Sequence, residues 1–308
     1  IDCHGTNGSG GNGHVSGTVQ YDLTGNSARF GAGAKYNGNA SGTIANIAPS
    51  GTYQSCSTVY CHSNAQGVSG VGAPTVYNSP TWGGTAISCG GCHENMSGVS
   101  GTGSHATHAN TYAMTCANCH TGYTVSSTNG SLHANATINV DIAATYGGTY
   151  SGGTTPGDHA PGGGYGSCST VYCHSSAQSS TGGALSGGDY KAVAWGSGSL
   201  NCASCHNDMS AAGGTGSHEL HASATGNGQY TCSVCHGTGY SASAVVTSTH
   251  ANKAINIAFT GTANGTNYTQ AAGTPGDGYG NCSTSACHGS GTMTWGSNTA
   301  AVTCEKCH

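Results

Sequence analysis

Apolar and polar residues alternate only briefly along this chain. Three stretches hold the alternation long enough to predict strands: GTVQYDL (17–23), ATINVDI (136–142) and AINIAF (254–259), in which every second side chain faces one side of an extended ribbon. Between them, segments such as GGTTPGDHAPGGGYG (152–166) and AAGTPGDGYG (271–280) read as turn-rich loop, because Gly, Pro, Asp and Asn favour backbone states that break regular structure. The expected fold is therefore mostly irregular, with a few short strands and isolated helical turns.

Composition turns this pattern into a problem. Leu, Ile, Val and Phe together number 30 in 308 residues, while glycine alone reaches 55. Such a chain buries too little apolar side chain to offset the entropy of ordering its backbone. Ordinary disorder brings high charge, yet only 15 residues are Lys, Arg, Asp or Glu. Some apolar mass other than side chains has to build the core. The formal charge of −5 is scattered without a basic stripe, which argues against a nucleic-acid partner. No stretch approaches the roughly 20 apolar residues of a membrane helix, so no membrane span is expected.

The cysteines supply the missing element. Sixteen of the 17 form eight close pairs, and the second member of every pair precedes a histidine. Five pairs have two residues between them: Cys89/Cys92-His93, Cys116/Cys119-His120, Cys202/Cys205-His206, Cys232/Cys235-His236 and Cys304/Cys307-His308. Three have four: Cys56/Cys61-His62, Cys168/Cys173-His174 and Cys282/Cys287-His288. The leftover Cys3 also precedes a histidine, His4. C-x-x-C-H is the attachment signal for c-type haem, whose two vinyl groups take two thiols and whose iron takes the adjacent imidazole. Four intervening residues serve equally if the segment bulges. Zinc knuckles would need a regular fourth ligand, which is missing. A disulfide framework explains the pairs but not the histidines, and a thioredoxin-like site needs a βαβ context that is absent. About nine haems follow, eight with complete motifs.

The motifs repeat. A C-x4-C-H is followed by two C-x2-C-H motifs, starting at 56, 89 and 116, then at 168, 202 and 232, then at 282 and 304. This divides the chain into the end of a preceding haem unit plus linker (1–55), three-haem units (56–167 and 168–281) and a partial two-haem unit (282–308). The pattern is cut at both ends, so Cys3 either holds a haem by one thioether or closes a motif begun before Ile1. Each unit also carries a tryptophan, Trp82, Trp195 and Trp295, expected to pack against porphyrin.

Eight histidines remain outside the motifs: His14, His105, His108, His133, His159, His218, His221 and His250. GTGSHATH and GTGSHELH place His105 and His108, and His218 and His221, at 12 and 15 residues after His93 and His206. At i, i+3 two imidazoles share one helical face and can serve two neighbouring haems. Their number approaches that of the motif histidines, which favours two histidines on each iron. His159 breaks the period, since the matching segment near Gly278 carries glycine. Met96, Met114, Met209 and Met293 read as packing rather than as ligands.

In CSTVYCH, CGGCH, CANCH and their counterparts the chain resembles the exported multihaem c-type cytochromes of metal-reducing bacteria, in which C-x4-C-H and C-x2-C-H alternate. The resemblance implies bis-histidine haem c, closely stacked haems and electron transfer outside the cytoplasm, in some relatives as extracellular filaments. It makes His4, His62, His93, His120, His174, His206, His236, His288 and His308 the proximal ligands and the other eight histidines the distal ones, with no catalytic residue. The expected partners are other copies of the chain, joined head to tail, and other redox proteins or extracellular acceptors, with the periplasm as the alternative location. Rival readings are a soluble periplasmic carrier, a reductase of a small oxidant with one open iron, and a glycine-rich surface protein bridged by disulfides.

Overall fold

The computed structural model describes residues 3, 19–23, 30–39, 45–47, 53–84, 88–151, 158–198, 201–205, 207–210, 214–223, 228–284, 286, 288–289 and 291–296. His4, His14, His206, Cys287, Cys304, Cys307 and His308 lie outside the described residues. The backbone divides into two compact units, Ile1–Ala143 with Tyr150–Gly166, and Ala144–Thr149 with Ser167–His308. Regular structure is sparse, as expected: among the described residues no strand exceeds three residues, and the longest helical segment is a six-residue wide turn, Ala106–Thr111.

In the first unit the 17–23 alternation becomes the strand Val19–Tyr21, antiparallel to Ala45–Ile47. Lys35–Tyr36 pairs with Cys56–Ser57. Tyr21, Leu23, Phe30, Ala34, Tyr36 and Val59 form a small apolar cluster with Cys3, Cys56 and Cys61 packed against it. The Tyr21 and Tyr36 rings meet edge to face at 4.6 Å, and their hydroxyls stay satisfied: Tyr21 donates to the Tyr36 carbonyl, and Tyr36 accepts from the Gln54 amide. Only eleven apolar residues are buried among those described, so side-chain burial alone cannot make the core.

The other two predicted strands do not form. ATINVDI and AINIAF are extended, but their partners are attachment motifs instead of neighbouring strands. Asp141 and Ala143 donate their amides to the carbonyls of Cys119 and Asn118; Ala258 and Thr260 do the same to Cys235 and Val234. A helical turn offers only its last orphan carbonyls as acceptors, so no ladder can grow from it. Ile138 pairs with His159, while Ile255 bonds to Ala272 and Gly273. The counterpart of His159 is therefore Ala272–Gly273, and not the vicinity of Gly278.

The C-x4-C-H segments share one backbone. Their first cysteine lies on a strand: Cys56 opposite Tyr36, Cys168 opposite Val193, Cys282 between Met293 and Tyr268. A threonine two residues on takes a left-handed conformation, with φ of 53°, 53° and 56° at Thr58, Thr170 and Thr284. A tight turn then follows at Tyr60–His62 and Tyr172–His174. The C-x2-C-H segments are single helical turns, Cys89–Cys92, Cys202–Cys205, Cys232–His236 and the tighter Cys116–Asn118.

The glycine-rich loops also have a structural task. Within the first unit Gln66 accepts from the Gly162 amide, Gly72 donates to the Gly162 carbonyl, and the Tyr165 hydroxyl donates to the Val68 carbonyl. Within the second unit Gln178 accepts from Gly276, Gly278 donates to Gly182, and Tyr279 donates to Ser180. Gly70 must be glycine: at φ +79° its Cβ would lie 2.7 Å from the Tyr165 ring. The segment preceding each later C-x4-C-H thus covers the loop that follows the earlier one.

Candidate functional site

The histidines are oriented by backbone carbonyls. Nδ1 of His105 donates to the Thr102 carbonyl at 2.8 Å and that of His108 to Ser104 at 2.9 Å; His218 and His221 repeat this on Thr215 and Ser217 at 2.7 and 2.8 Å. Among the motif histidines, Nδ1 of His93 donates to Glu94 at 2.7 Å, His120 to Asn139 at 2.5 Å and His236 to Asn256 at 2.8 Å. A metal-binding imidazole ties its other nitrogen to such an acceptor, which fixes the tautomer and the ring plane. In these seven residues Nδ1 is committed to a carbonyl, and Nε2 is the nitrogen that a metal would take. The 136–142 and 254–259 segments present the Asn139 and Asn256 carbonyls to these rings.

Among the described residues, imidazoles approach one another in pairs. His105 and His120 have ring centres 6.3 Å apart and planes within 19°; His218 and His236 are at 6.2 Å and 6°. His221 and His288 are at 6.0 Å and 63°. Two imidazoles bound through nitrogen at about 2 Å on opposite sides of one metal ion hold their ring centres about 6 Å apart. Each pair joins one motif histidine to one of GTGSHATH or GTGSHELH. Among the described residues no group of three or more His, Cys, Asp or Glu converges on a metal position. Paired donors are what a porphyrin-held iron takes from a protein, whereas structural zinc takes four.

Burial sets the protonation states these ligands need. His105 is pushed down to about 4, chiefly by desolvation, with Thr102 opposing and His120 adding to the shift. Desolvation also lowers His62, His120, His236 and His288, and lowers His133 together with the neighbouring His93. These imidazoles are neutral at pH 7 and so able to ligate. The thiols of Cys56, Cys119, Cys232 and Cys282 are raised by burial, which disfavours the thiolate that zinc would require. No disulfide joins Cys116 to Cys119.

The residues fit a covalently held haem in further respects. In the second unit a cavity of about 350 Å³ is walled by Cys232, Cys235, Cys282, His221, His236 and His250 among others. In the first unit His62 carries a buried Nδ1 with no hydrogen-bond partner, and both nitrogens of His159 are buried and unpartnered at 4% exposure, beside the Tyr150 ring. An orphaned buried nitrogen implies a group that the polypeptide itself does not supply. His133 lies beside the Tyr123 ring, while His174 is buried at the end of its turn. The methionine sulfurs of Met96 and Met209 accept from the Thr102 and Thr215 hydroxyls, consistent with packing.

Sequence reasoning missed two parts of the site. The orienting carbonyls were visible only as the recurrent GTGSH and I-N-V or I-N-I segments. Trp295, expected to pack against porphyrin, has its ring stacked on His221 at 5.1 Å and edge-on to His218 at 5.0 Å. Trp82, by contrast, is 55% exposed.

Residues 55–93 and 167–206 each match the family model described as the Geobacter CxxxxCH...CXXCH motif. That match bears out the resemblance to multihaem cytochromes with alternating C-x4-C-H and C-x2-C-H motifs. Comparison with curated proteins and with solved structures returned no match. Among the described residues no helix is long and apolar enough to cross a membrane.

Proposed function

We propose, from the premise that this chain carries the Geobacter C-x4-C-H…C-x2-C-H motif twice, that it is an exported conduit for electrons through about nine covalently bound bis-histidine haems. The observation carrying this reading is the set of facing imidazole pairs about 6 Å apart, each containing one motif histidine. Haem c supplies a reversible one-electron iron couple whose potential follows its axial ligands and burial. The chain's own residues do the rest. The motif cysteines fix the porphyrin edge, two imidazoles hold the iron from both sides, and the carbonyls of Asn139 and Asn256 lock the ring planes. Fixed ligands keep reorganisation small, and small residues let porphyrins approach one another. The units 56–167 and 168–281, with the partial unit 282–308, are the repeating element of the conduit. Its partners are other redox proteins or extracellular acceptors and further copies of the chain in a head-to-tail filament.

Intact mass after denaturation tests the reading, because thioether-bound haem survives unfolding. About nine haem increments are expected, eight if Cys3 carries none. A mass equal to the bare polypeptide would overturn it. Microscopy of purified protein that shows single particles only would remove the filament while leaving electron transfer standing.

A further inference from the structure

We propose that the short helix His218–Ala222 staples two haems of successive units together: His218 is the distal ligand of the haem on Cys232/Cys235-His236, and His221 that of the haem on Cys282/Cys287-His288. This deepens the proposed function and rests on its haem attachment.

The geometry is specific to this pairing. His218 faces His236 at 6.2 Å, and His221 faces His288 at 6.0 Å. One motif closes the 168–281 unit; the other opens the next. Three residues along a helical turn keep both imidazoles on one side, and each has its Nδ1 tied to a carbonyl one turn back, Thr215 or Ser217. Neither ring can turn away from its iron position without breaking that bond.

Trp295 holds the junction from the other unit. It follows the strand Met293–Thr294, which pairs with Asn281–Ser283 and hence with Cys282 itself. Its ring lies against both His218 and His221. Its seat is made by Gly216, at φ +66°, where a Cβ would stand 2.4 Å from the indole nitrogen. The next amide, Gly296, donates to the buried Ser217 hydroxyl at 2.8 Å. The strand paired with Cys282 is thus tied, through Gly296 just beyond it, to Ser217 at the start of the helix that carries that haem's distal ligand. Across this unit boundary the two haems are neighbours by construction, and electrons pass between units here.

The test uses the haem-loaded protein. His218→Ala and His221→Ala are each expected to leave the haem count by mass unchanged and to convert one haem from low-spin to high-spin in the ferric EPR spectrum. The double variant converts two. The assignment is decided in a Cys282→Ser/Cys287→Ser background, which lacks one haem. There His221→Ala adds no high-spin haem, whereas His218→Ala still adds one. A high-spin haem from His221→Ala in that background, or no spin change from either single variant, overturns the pairing. If that background does not accumulate, His221→Met/His288→Met decides instead. One iron with two thioether ligands supports the pairing, and two irons each with one thioether refutes it. Protein without haem would sink the proposed function itself, whereas haem-loaded protein with other pairings sinks only this inference.

Discussion

At the residue scale, the buried imidazoles make acid the sharpest probe. Burial holds His105 at about 4, against an ordinary value of 6.5. The folded state therefore binds fewer protons than the unfolded chain between those values, so stability rises with pH there. The contribution, up to roughly 3 kcal/mol at about 1.4 kcal/mol per pKa unit, is complete above 6.5 and is lost as pH falls towards 4. Iron held on Nε2, as the proposed function has it, would oppose protonation in the same direction. A pH titration followed by absorption is expected to keep the low-spin spectrum down to about pH 4 and to lose it below; a transition near 6.5 would show an ordinary exposed histidine. Gly216 gives a second residue-scale outcome. Gly216→Ala places a methyl against Trp295 from a left-handed backbone, and a loss on the order of 2 kcal/mol is expected in thermal melts of the haem-loaded protein. Gly187, with nothing within 4 Å of its added Cβ, provides the control, and its alanine variant is expected to stay within about 0.5 kcal/mol of the parent.

At the element scale, the four-residue spacing is a change of backbone path rather than a stretched helical turn. The first thiol stands on a strand, the second in a tight turn, and a left-handed threonine redirects the chain between them. Proline fixes φ near −65°, incompatible with +53° at Thr170. Thr170→Pro is expected to lose the haem of Cys168/Cys173 alone, seen as one increment fewer in the intact mass, while Thr170→Gly keeps it and relieves strain of about 1 kcal/mol. A full haem count in Thr170→Pro would mean that the path is not required. None of this could be read from CSTVYCH, because Thr has no left-handed preference of its own and the strand partners, Tyr36 and Val193, lie outside the motif. The 136–142 and 254–259 alternation was legible as extended chain, but its register was not, since the acceptors sit on helical turns. The GTGSH histidines were legible as a face-sharing pair; that His218 and His221 would meet different motif histidines needed the path of the backbone between them.

At the scale of the whole molecule, sequence composition already implied a core made of something other than side chains, and the sparse burial bears on the same point. Eleven buried apolar residues among those described cannot offset an ordering cost of about 1–2 kcal/mol for each backbone residue. Under the proposed function, haem fills the space between the half-buried imidazoles and thiols. Haem attachment and folding are then expected to be one event, as metal binding and folding are in small metalloproteins. A chain of this length has a radius of gyration of about 62 Å when unfolded. Produced where haem is not attached, or with every motif cysteine changed to serine, the polypeptide is expected to scatter X-rays near that value and to be cut throughout its length by proteases. The haem-loaded chain is expected to resist the same proteases within each of its two units. A haem-free chain that stayed compact would show that glycine-rich loops hooked by Tyr165 and Tyr279 suffice to fold it, and the polypeptide would then be a scaffold that receives its haems rather than a sleeve formed around them.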